Sequence, residues 1–413
     1  MKKQILIMLL SIPLSGFSQE MSTTLNIYGL SVAWEKVKTN FPHFDKLHTD
    51  WDSLYLQNIP KVIEANDIKD YYSILIKFYA KLNDGHTWIW YPDSINNSLN
   101  TIPIRTTFIE GKLIVSKVLN ETLNDKIAVG DEIISIDDYE ISIYASKYIF
   151  PFISSSTSQD RNLRAYTYDL FLGDIENSVK LKIKHSKDQS IDTLTISRKL
   201  VQINDFKEYE YKKLENNVGY LKINTFYSTN YKTIFDSIYS NLLNTNSLII
   251  DLRQNGGGSG EQANYILSHF LQKPTQTASY KLRKRETNEW ETYEAGTIYP
   301  IENKTIYDKP IILLIGSGTF SAAEDFCVAF INARRGDLIG TNTAGSTGNS
   351  IEFDLPYGGY GQVTFKRDFF PDGKEFVGVG IEPNIVVVTK IDDIITNNDS
   401  VLNRAILELK NKY

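Results

Sequence analysis

Apolar residues recur with two different periods along this chain, and the change of period divides it. Between residues 27 and 82 the spacing is helical: Trp34, Val37 and Phe41 fall on one face, and Tyr71, Leu75, Phe78, Tyr79 and Leu82 on another. Asn83-Asp84-Gly85 is a turn signal that stops the second run, and Thr87-Trp88-Ile89-Trp90 beyond it is strand-like. From about 101 to 200 the texture is short and alternating, as in Leu113-Ile114-Val115, Glu132-Ile133-Ile134-Ser135-Ile136, Val179-Lys180-Leu181-Lys182-Ile183 and Thr193-Leu194-Thr195-Ile196. This predicts a small β-rich module. From 216 to 390 strands and helices alternate. Leu248-Ile249-Ile250-Asp251-Leu252 and Ile311-Ile312-Leu313-Leu314-Ile315 are continuous apolar runs, expected of strands covered on both faces. Helical stripes follow them: Ile234, Phe235, Ile238, Tyr239, Leu242 and Leu243 after the strand 218–223, then Ala263, Ile266, Leu267 and Phe270, then a helix from Ser321. The alternation implies parallel pairing with right-handed crossovers. Leu402, Ala405, Ile406 and Leu409 mark a last helix.

Composition changes this picture at the amino terminus. Lys2 and Lys3, the apolar run Ile5–Leu10, and Gly16 and Ser18 before Gln19 read as a signal peptide over residues 1–18, which implies export to the periplasm or beyond. That run is too short for a membrane span, so stable membrane insertion is not expected. The expected division is then 19–95 helical, 101–200 β-rich, 205–395 α/β and 396–413 a closing helix. Cys327, the single cysteine, sits in an apolar helical run and reads as a core residue. An exported chain with one cysteine relies on its core rather than on internal disulfides. The net charge of −6 becomes −8 without Lys2 and Lys3, and no basic run exceeds Lys281–Arg285, so nucleic acid is not an expected partner. Nothing has metal-ligand spacing, and no cofactor is implied.

Two segments carry candidate chemistry. Asp251-Leu252-Arg253-Gln254-Asn255-Gly256-Gly257-Gly258 ends a buried strand in a glycine cluster, where bare backbone N–H groups can face a ligand. No Gly-Lys-Ser/Thr follows, so it is not a P-loop. An oxyanion hole is the other use. Gly316-Ser317-Gly318-Thr319 turns the chain after the second buried strand and sets Ser321 at the start of a helix. Ser321-Ala322-Ala323-Glu324 also has capping-box spacing, so a helix cap and a nucleophile remain equal readings of Ser321. As a nucleophile it would place its oxyanion at the N–H of Ala322 and that of Gly256 or Gly257. A serine hydroxyl needs a base. Of His43, His48, His86, His185 and His269, His86 is held most rigidly, between the 83–85 turn and an apolar strand.

Val129-Gly130-Asp131-Glu132-Ile133-Ile134-Ser135-Ile136-Asp137 resembles the signature turn and strand of a PDZ domain. Taken in order with Leu82-Asn83-Asp84-Gly85-His86-Thr87, the Asp251–Gly258 segment, Ser321–Glu324 and Gly378-Val379-Gly380-Ile381-Glu382-Pro383, it makes the chain from about 27 to 410 resemble the tail-specific (C-terminal-processing) serine peptidase superfamily, which includes the tricorn core peptidases. The resemblance implies an α/β fold: a helical N-terminal part, a PDZ-like module and a crotonase-like core. One branch uses a Ser-Lys dyad, but Ser346 stands where that lysine would be, and no lysine lies between Ser321 and Lys366. The Ser-His arrangement of the tricorn-like branch fits better, with His86 as base for Ser321. In that pattern an acid preceding Gly378 orients the imidazole. Strict spacing puts Val377 there, so the candidates are Glu375 first, then Glu324 and Asp84. A serine that precedes the histidine in some relatives is Gly85 here.

The implied function is an exported serine endopeptidase acting on peptides or proteins. The alternatives are a peptide-binding protein of the same fold that has lost turnover, and an esterase-like hydrolase, although no Gly-x-Ser-x-Gly elbow surrounds Ser321.

Overall fold

The computed structural model describes residues 21–412, apart from 48, 200–205 and 284–288. The expected signal segment, residues 1–18, and His48 lie outside the described residues.

The helical N-terminal spacing becomes three helices: α1 (Thr23–Asn40), α2 (Trp51–Ile63) and α3 (Ile68–Ala80). Ser22, Asp50 and Asp67 cap them, each accepting a backbone N–H of the first turn. Their apolar faces converge on Leu30, Val37, Trp51, Tyr71, Leu75 and Tyr79. Strand β1 (Trp88–Trp90) leaves this layer.

A five-strand antiparallel path follows in order β2 (Ile104–Ile109), β3 (Lys112–Val118), β4 (Glu132–Ile136), β5 (Ser178–Lys184) and β6 (Ile191–Ser197). Burial alternates residue by residue along β5, as its period of two requires. Between β4 and β5 lies a stretch the sequence reading left unassigned. Residues 141–149 and 158–169 are helical, and helix α4 (Ser158–Leu163) runs on into wider π-type turns at 164–169. Ile141, Ala145 and Ile149, spaced every fourth residue, face the module's core.

The third layer system is a six-stranded sheet. Its order is β7 (Tyr209–Lys213), β8 (Val218–Ile223), β9 (Ser247–Asp251), β10 (Ile311–Ile315), β11 (Gly336–Gly340) and, at the far edge, the short strand Ile385–Val386. Only β7 is antiparallel to its neighbour; all other pairs are parallel. Helices α5 (Tyr231–Leu242), α6 (Gly260–Ser268) and α7 (Ala322–Asn332) return the chain. The continuous apolar runs are explained by two covered faces. Leu248 and Ile250 join Phe235, Ile266, Phe270 and Phe326 in one core. Ile249, Ile312 and Leu314 turn the other way, onto Val401, Ala405 and Leu409 of α8 (Ser400–Lys412). Cys327 is fully buried in the first of these cores.

The polypeptide then ties its first layer to its last. Antiparallel pairing joins β1 to the strand Tyr360–Thr364, itself a hairpin partner of Ser350–Asp354. The strand that leaves the His-bearing turn is thereby paired with a hairpin that lies in sequence between the last two strands of the six-stranded sheet. Among the described residues no helix is long and apolar enough to cross a membrane.

Candidate active site

Ser321 follows β10 and immediately precedes α7. Its φ of 57° and ψ of −127° are costly for a residue with a side chain, by about 1–3 kcal/mol. Surrounding hydrogen bonds hold it there: Phe320 N–H donates to the Asn255 carbonyl at 3.0 Å, Ser321 N–H to the Ser346 carbonyl at 3.1 Å, and Glu324 N–H to the Ser321 carbonyl at 2.7 Å. The helix-cap reading of Ser321 is corrected, because its side chain makes no capping bond. The backbone at 321 turns the hydroxyl away from the helix, and it lies 2.9 Å from His86 Nε2.

The turn carrying His86 is caught at almost every backbone group. Asp84 N–H donates to Ser154 Oγ at 3.1 Å, and Ser154 Oγ donates back to the Asp84 carbonyl at 2.7 Å. Gly85 N–H donates to Ser156 Oγ, Arg164 to the Gly85 carbonyl, and Gln362 to the His86 carbonyl. Asp84 Oδ1 accepts the His86 N–H at 3.1 Å, so this buried carboxyl supports the backbone and not the ring. The ring stacks on Phe320 with centroids 4.5 Å apart. Burial, with the charges of Arg164 and Lys366 adding to it, pulls the His86 pKa down to about 3, so the imidazole is neutral at physiological pH.

The second ring nitrogen, Nδ1, lies 3.0 Å from Ser346 Oγ. Glu375, the leading candidate for an orienting acid, is corrected here. Its carboxylate is bound by Arg367 Nε at 2.8 Å and Lys46 Nζ at 3.1 Å, which hold its pKa below the usual value against the effect of burial. It fastens the segment after α1 to the loop before Gly378, since Lys46 also donates to the Val377 carbonyl. Glu375→Gln is therefore expected to leave hydrolytic rate within about threefold of wild type and to lower stability by about 1 kcal/mol or less, as for other part-exposed ion pairs. Activity and thermal melting on one preparation check it.

Glu324 sits closer, but acts through backbone. It is fully buried and accepts from Thr343 Oγ1 at 2.5 Å, Gly345 N–H at 2.8 Å and Ser346 N–H at 2.8 Å. Burial pushes its pKa up to about 8 while these three donors pull the other way. Its role is to shape the loop that carries Ser346.

The glycine cluster packs directly against the serine. A Cβ on Gly257 would lie 2.6 Å from Ser321 Cβ, and one on Gly258 2.5 Å from the Phe226 backbone, so both positions exclude a side chain. Gly257 is also corrected as an oxyanion donor: its N–H donates to Asn255 Oδ1 at 2.8 Å. That Asn255-to-Gly257 bond is an Asx turn, legible in an Asn two residues before a glycine but not drawn from the sequence. Ala322 is the first residue of α7, so its N–H has no intrahelical acceptor. Gly256 faces open space. Ala322 and Gly256 thus remain the candidates for oxyanion donors.

Sequence reasoning also missed the segment 154–164. Besides gripping the histidine turn, it holds the core: Thr157 Oγ1 donates to the Ala344 carbonyl at 2.7 Å, and Gln159 Nε2 to the carbonyls of Thr343 and Val379. The signal was a run of small hydroxyl residues, Ser154-Ser155-Ser156-Thr157, with no regular period to mark it. A cleft of about 630 Å³ opens between this module and the core strand ends, lined by Thr106, Tyr168, Arg253, Gln254 and Gly318 among others. It flanks the serine turn without including Ser321. The described residues contain no cluster of three or more potential metal-binding side chains.

Known proteins resemble the chain in sequence and in fold. Residues 217–387 match the model of peptidase family S41. A carboxy-terminal-processing protease of Bartonella bacilliformis is 29% identical over 207 residues, 48% of this chain and 44% of that protein. The chloroplastic carboxyl-terminal-processing peptidase 1 of Arabidopsis thaliana is 24% identical over 387 residues, 88% of this chain and 72% of the relative. The chain spans about half the length of several of the curated relatives it matches. Among solved structures, mature CPAF complexed with lactacystin superposes with a TM-score of 0.78 at 15% identity, covering 95% of this chain and 99% of that one. The photosystem II D1 C-terminal processing protease gives 0.54 at 18% identity, over 88% of this chain and 93% of that one. These structural likenesses speak to the fold. The matches in sequence make the chain similar to peptidase family S41 over residues 217–387 and to the tail-specific (C-terminal-processing) proteases.

Proposed function

We propose that this chain is an exported serine endopeptidase that cleaves peptide bonds through an acyl-enzyme on Ser321, with His86 as general base. The observation that carries the reading is the 2.9 Å contact between Ser321 Oγ and His86 Nε2, two atoms whose residues are 235 positions apart in sequence. That distance is within reach for proton transfer.

In this mechanism Nε2 accepts the Ser321 proton as Oγ attacks the scissile carbonyl. Negative charge develops on the carbonyl oxygen, toward the N–H of Ala322 and that of Gly256. The imidazolium then gives its proton to the leaving amine, and a peptide product departs. Water enters, loses a proton to Nε2 and attacks the acyl carbon; the C–Oγ bond breaks, the second product leaves with a free carboxylate, and the Nε2 proton returns to Ser321 Oγ. Each step is completed by side chains and backbone of this chain.

The same proposal takes residues 1–18 as a cleaved signal peptide, 101–200 as a PDZ-like module and 205–395 as a crotonase-like core. The partner is a peptide or protein. In the PDZ-like module, Thr106 of β2 donates to the Tyr166 carbonyl and Phe108 stacks on the Tyr166 ring, so strand addition at that edge requires Tyr166 to yield.

A second reading, a peptide-binding protein without turnover, draws on Nδ1 of His86 facing a hydroxyl instead of a carboxylate. Reaction with a fluorophosphonate and intact-mass measurement separates the two. The expected result is one adduct, mapped to Ser321, on a chain beginning at Gln19 when recovered from the cell envelope or medium. A folded chain that stays unmodified supports the binding reading.

A further inference from the structure

A general base works only while the correct ring nitrogen faces the nucleophile. Something must therefore fix both the tautomer and the tilt of the ring through the other nitrogen. We propose that Ser346 is the positioning residue for His86, and that residue 85 is glycine in order to admit its hydroxyl. The inference rests on the reading of His86 as base.

Three observations carry it. First, Ser346 Oγ lies 3.0 Å from Nδ1 and the residue is completely buried, so no water competes for that bond. When Nε2 receives the Ser321 proton, Nδ1 must carry the other, and Ser346 Oγ is the acceptor that keeps it there. Second, the backbone of Ser346 is clamped on both sides. Its N–H donates to Glu324 Oε2 at 2.8 Å, and its carbonyl accepts the N–H of Ser321 itself at 3.1 Å. The hydroxyl that steadies the base is thus built on the residue that steadies the nucleophile. Third, Gly85 is not in the left-handed region, so backbone conformation does not demand a glycine. Space does: a Cβ there would lie 2.6 Å from Ser346 Oγ and 2.9 Å from Ser346 Cβ. A hydroxyl borne on residue 85 and the hydroxyl of Ser346 would compete for one volume beside Nδ1.

This mutual exclusion supplies the test. The second-order rate of fluorophosphonate modification at Ser321, followed by intact mass on the full chain, reads the base without a known substrate. Ser346→Ala and Ser346→Gly are expected to slow it on the order of 10²-fold, the cost of a ring misplaced by about 1 Å, with thermal melting little changed. Gly85→Ser alone is also slow, since the two side chains collide. The double variant Gly85→Ser/Ser346→Gly moves the hydroxyl across the gap and recovers at least tenfold over Ser346→Gly. A merely structural role for Ser346 gives no such rescue. Modification of Ser346→Ala at the wild-type rate overturns the proposal, and so does a double variant no faster than Ser346→Gly. An unmodified wild-type chain overturns the assignment of Ser321 and His86 as well, so the two failures are told apart.

Discussion

Ser321→Ala is expected to lose peptide hydrolysis by at least about 10⁴-fold and to lose all fluorophosphonate modification, while folding as the wild type does. In the proposed mechanism the acyl bond forms on Oγ, which alanine does not have. The structural cost is small. Removing Oγ leaves His86 Nε2 short of one hydrogen bond, about 1 kcal/mol. The backbone at φ 57° adds a sharper expectation. Ser321→Gly is equally inactive, yet melts higher than Ser321→Ala because glycine enters that conformation without the Cβ penalty, a difference of about 1 kcal/mol. Activity, adduct mass and thermal denaturation of the three proteins check both parts. Residual hydrolysis near wild-type level in either variant would place the nucleophile elsewhere.

His86→Ala is expected to cost about 10³- to 10⁵-fold in the rate of Ser321 modification, the range spanned by losing base catalysis and orientation together. The pH profile is the more telling measurement. An ordinary histidine is half protonated near pH 6.5 and stops serving as a base below that. Here burial, and then the charges of Arg164 and Lys366, disfavour the protonated ring and lower its pKa to about 3. The neutral form therefore persists as pH falls, and wild-type modification should hold its rate from pH 7 down to about 5. The buried carboxyls near the site do not reverse the sign: Asp84 and Glu324 have pKa values raised to about 6 and about 8, so they lose negative charge on acidification, which weakens any pull toward the imidazolium. A rate that halves near pH 6.5 would contradict this account of His86. The same physics makes the ring a reluctant proton acceptor, so in the proposed mechanism turnover is expected to be lower than at a site where a carboxylate faces Nδ1.

The helical, β-rich and α/β stretches were legible in the sequence, and so was the pairing of Ser321 with His86, but not the contacts that support it. Buried strands such as 311–315 were legible because both faces are covered, which erases polar positions from a short run. His86 stood out because a turn and an apolar strand bracket it. The orienting group was not legible. Counting back from Gly378 led to Glu375, yet spacing along the chain does not record that Arg367 and Lys46 neutralise that carboxylate first. Ser346 was visible only as the absence of a lysine. Its contact with Nδ1 depends on Gly85 making room and on Glu324 bending the loop, relations between residues 260 and 22 positions apart. The helical stretch 158–169 escaped for a different reason. Its π-type turns break the 3.6-residue period by which helices are recognised.

The grip of segment 154–164 on the histidine turn and on the core loops at 343–344 and 379 has a consequence for how this protein can be dissected. Base and nucleophile belong to separate layers, and the intervening module supplies the hands that bring them together, through Ser154, Ser156 and Arg164 on one side and Thr157 and Gln159 on the other. An excised α/β layer would keep Ser321 yet lack His86. The Ser321–His86 contact therefore forms only once all three layers have been synthesised and docked. Competence thus reports completed assembly of the whole molecule, not the integrity of any one part.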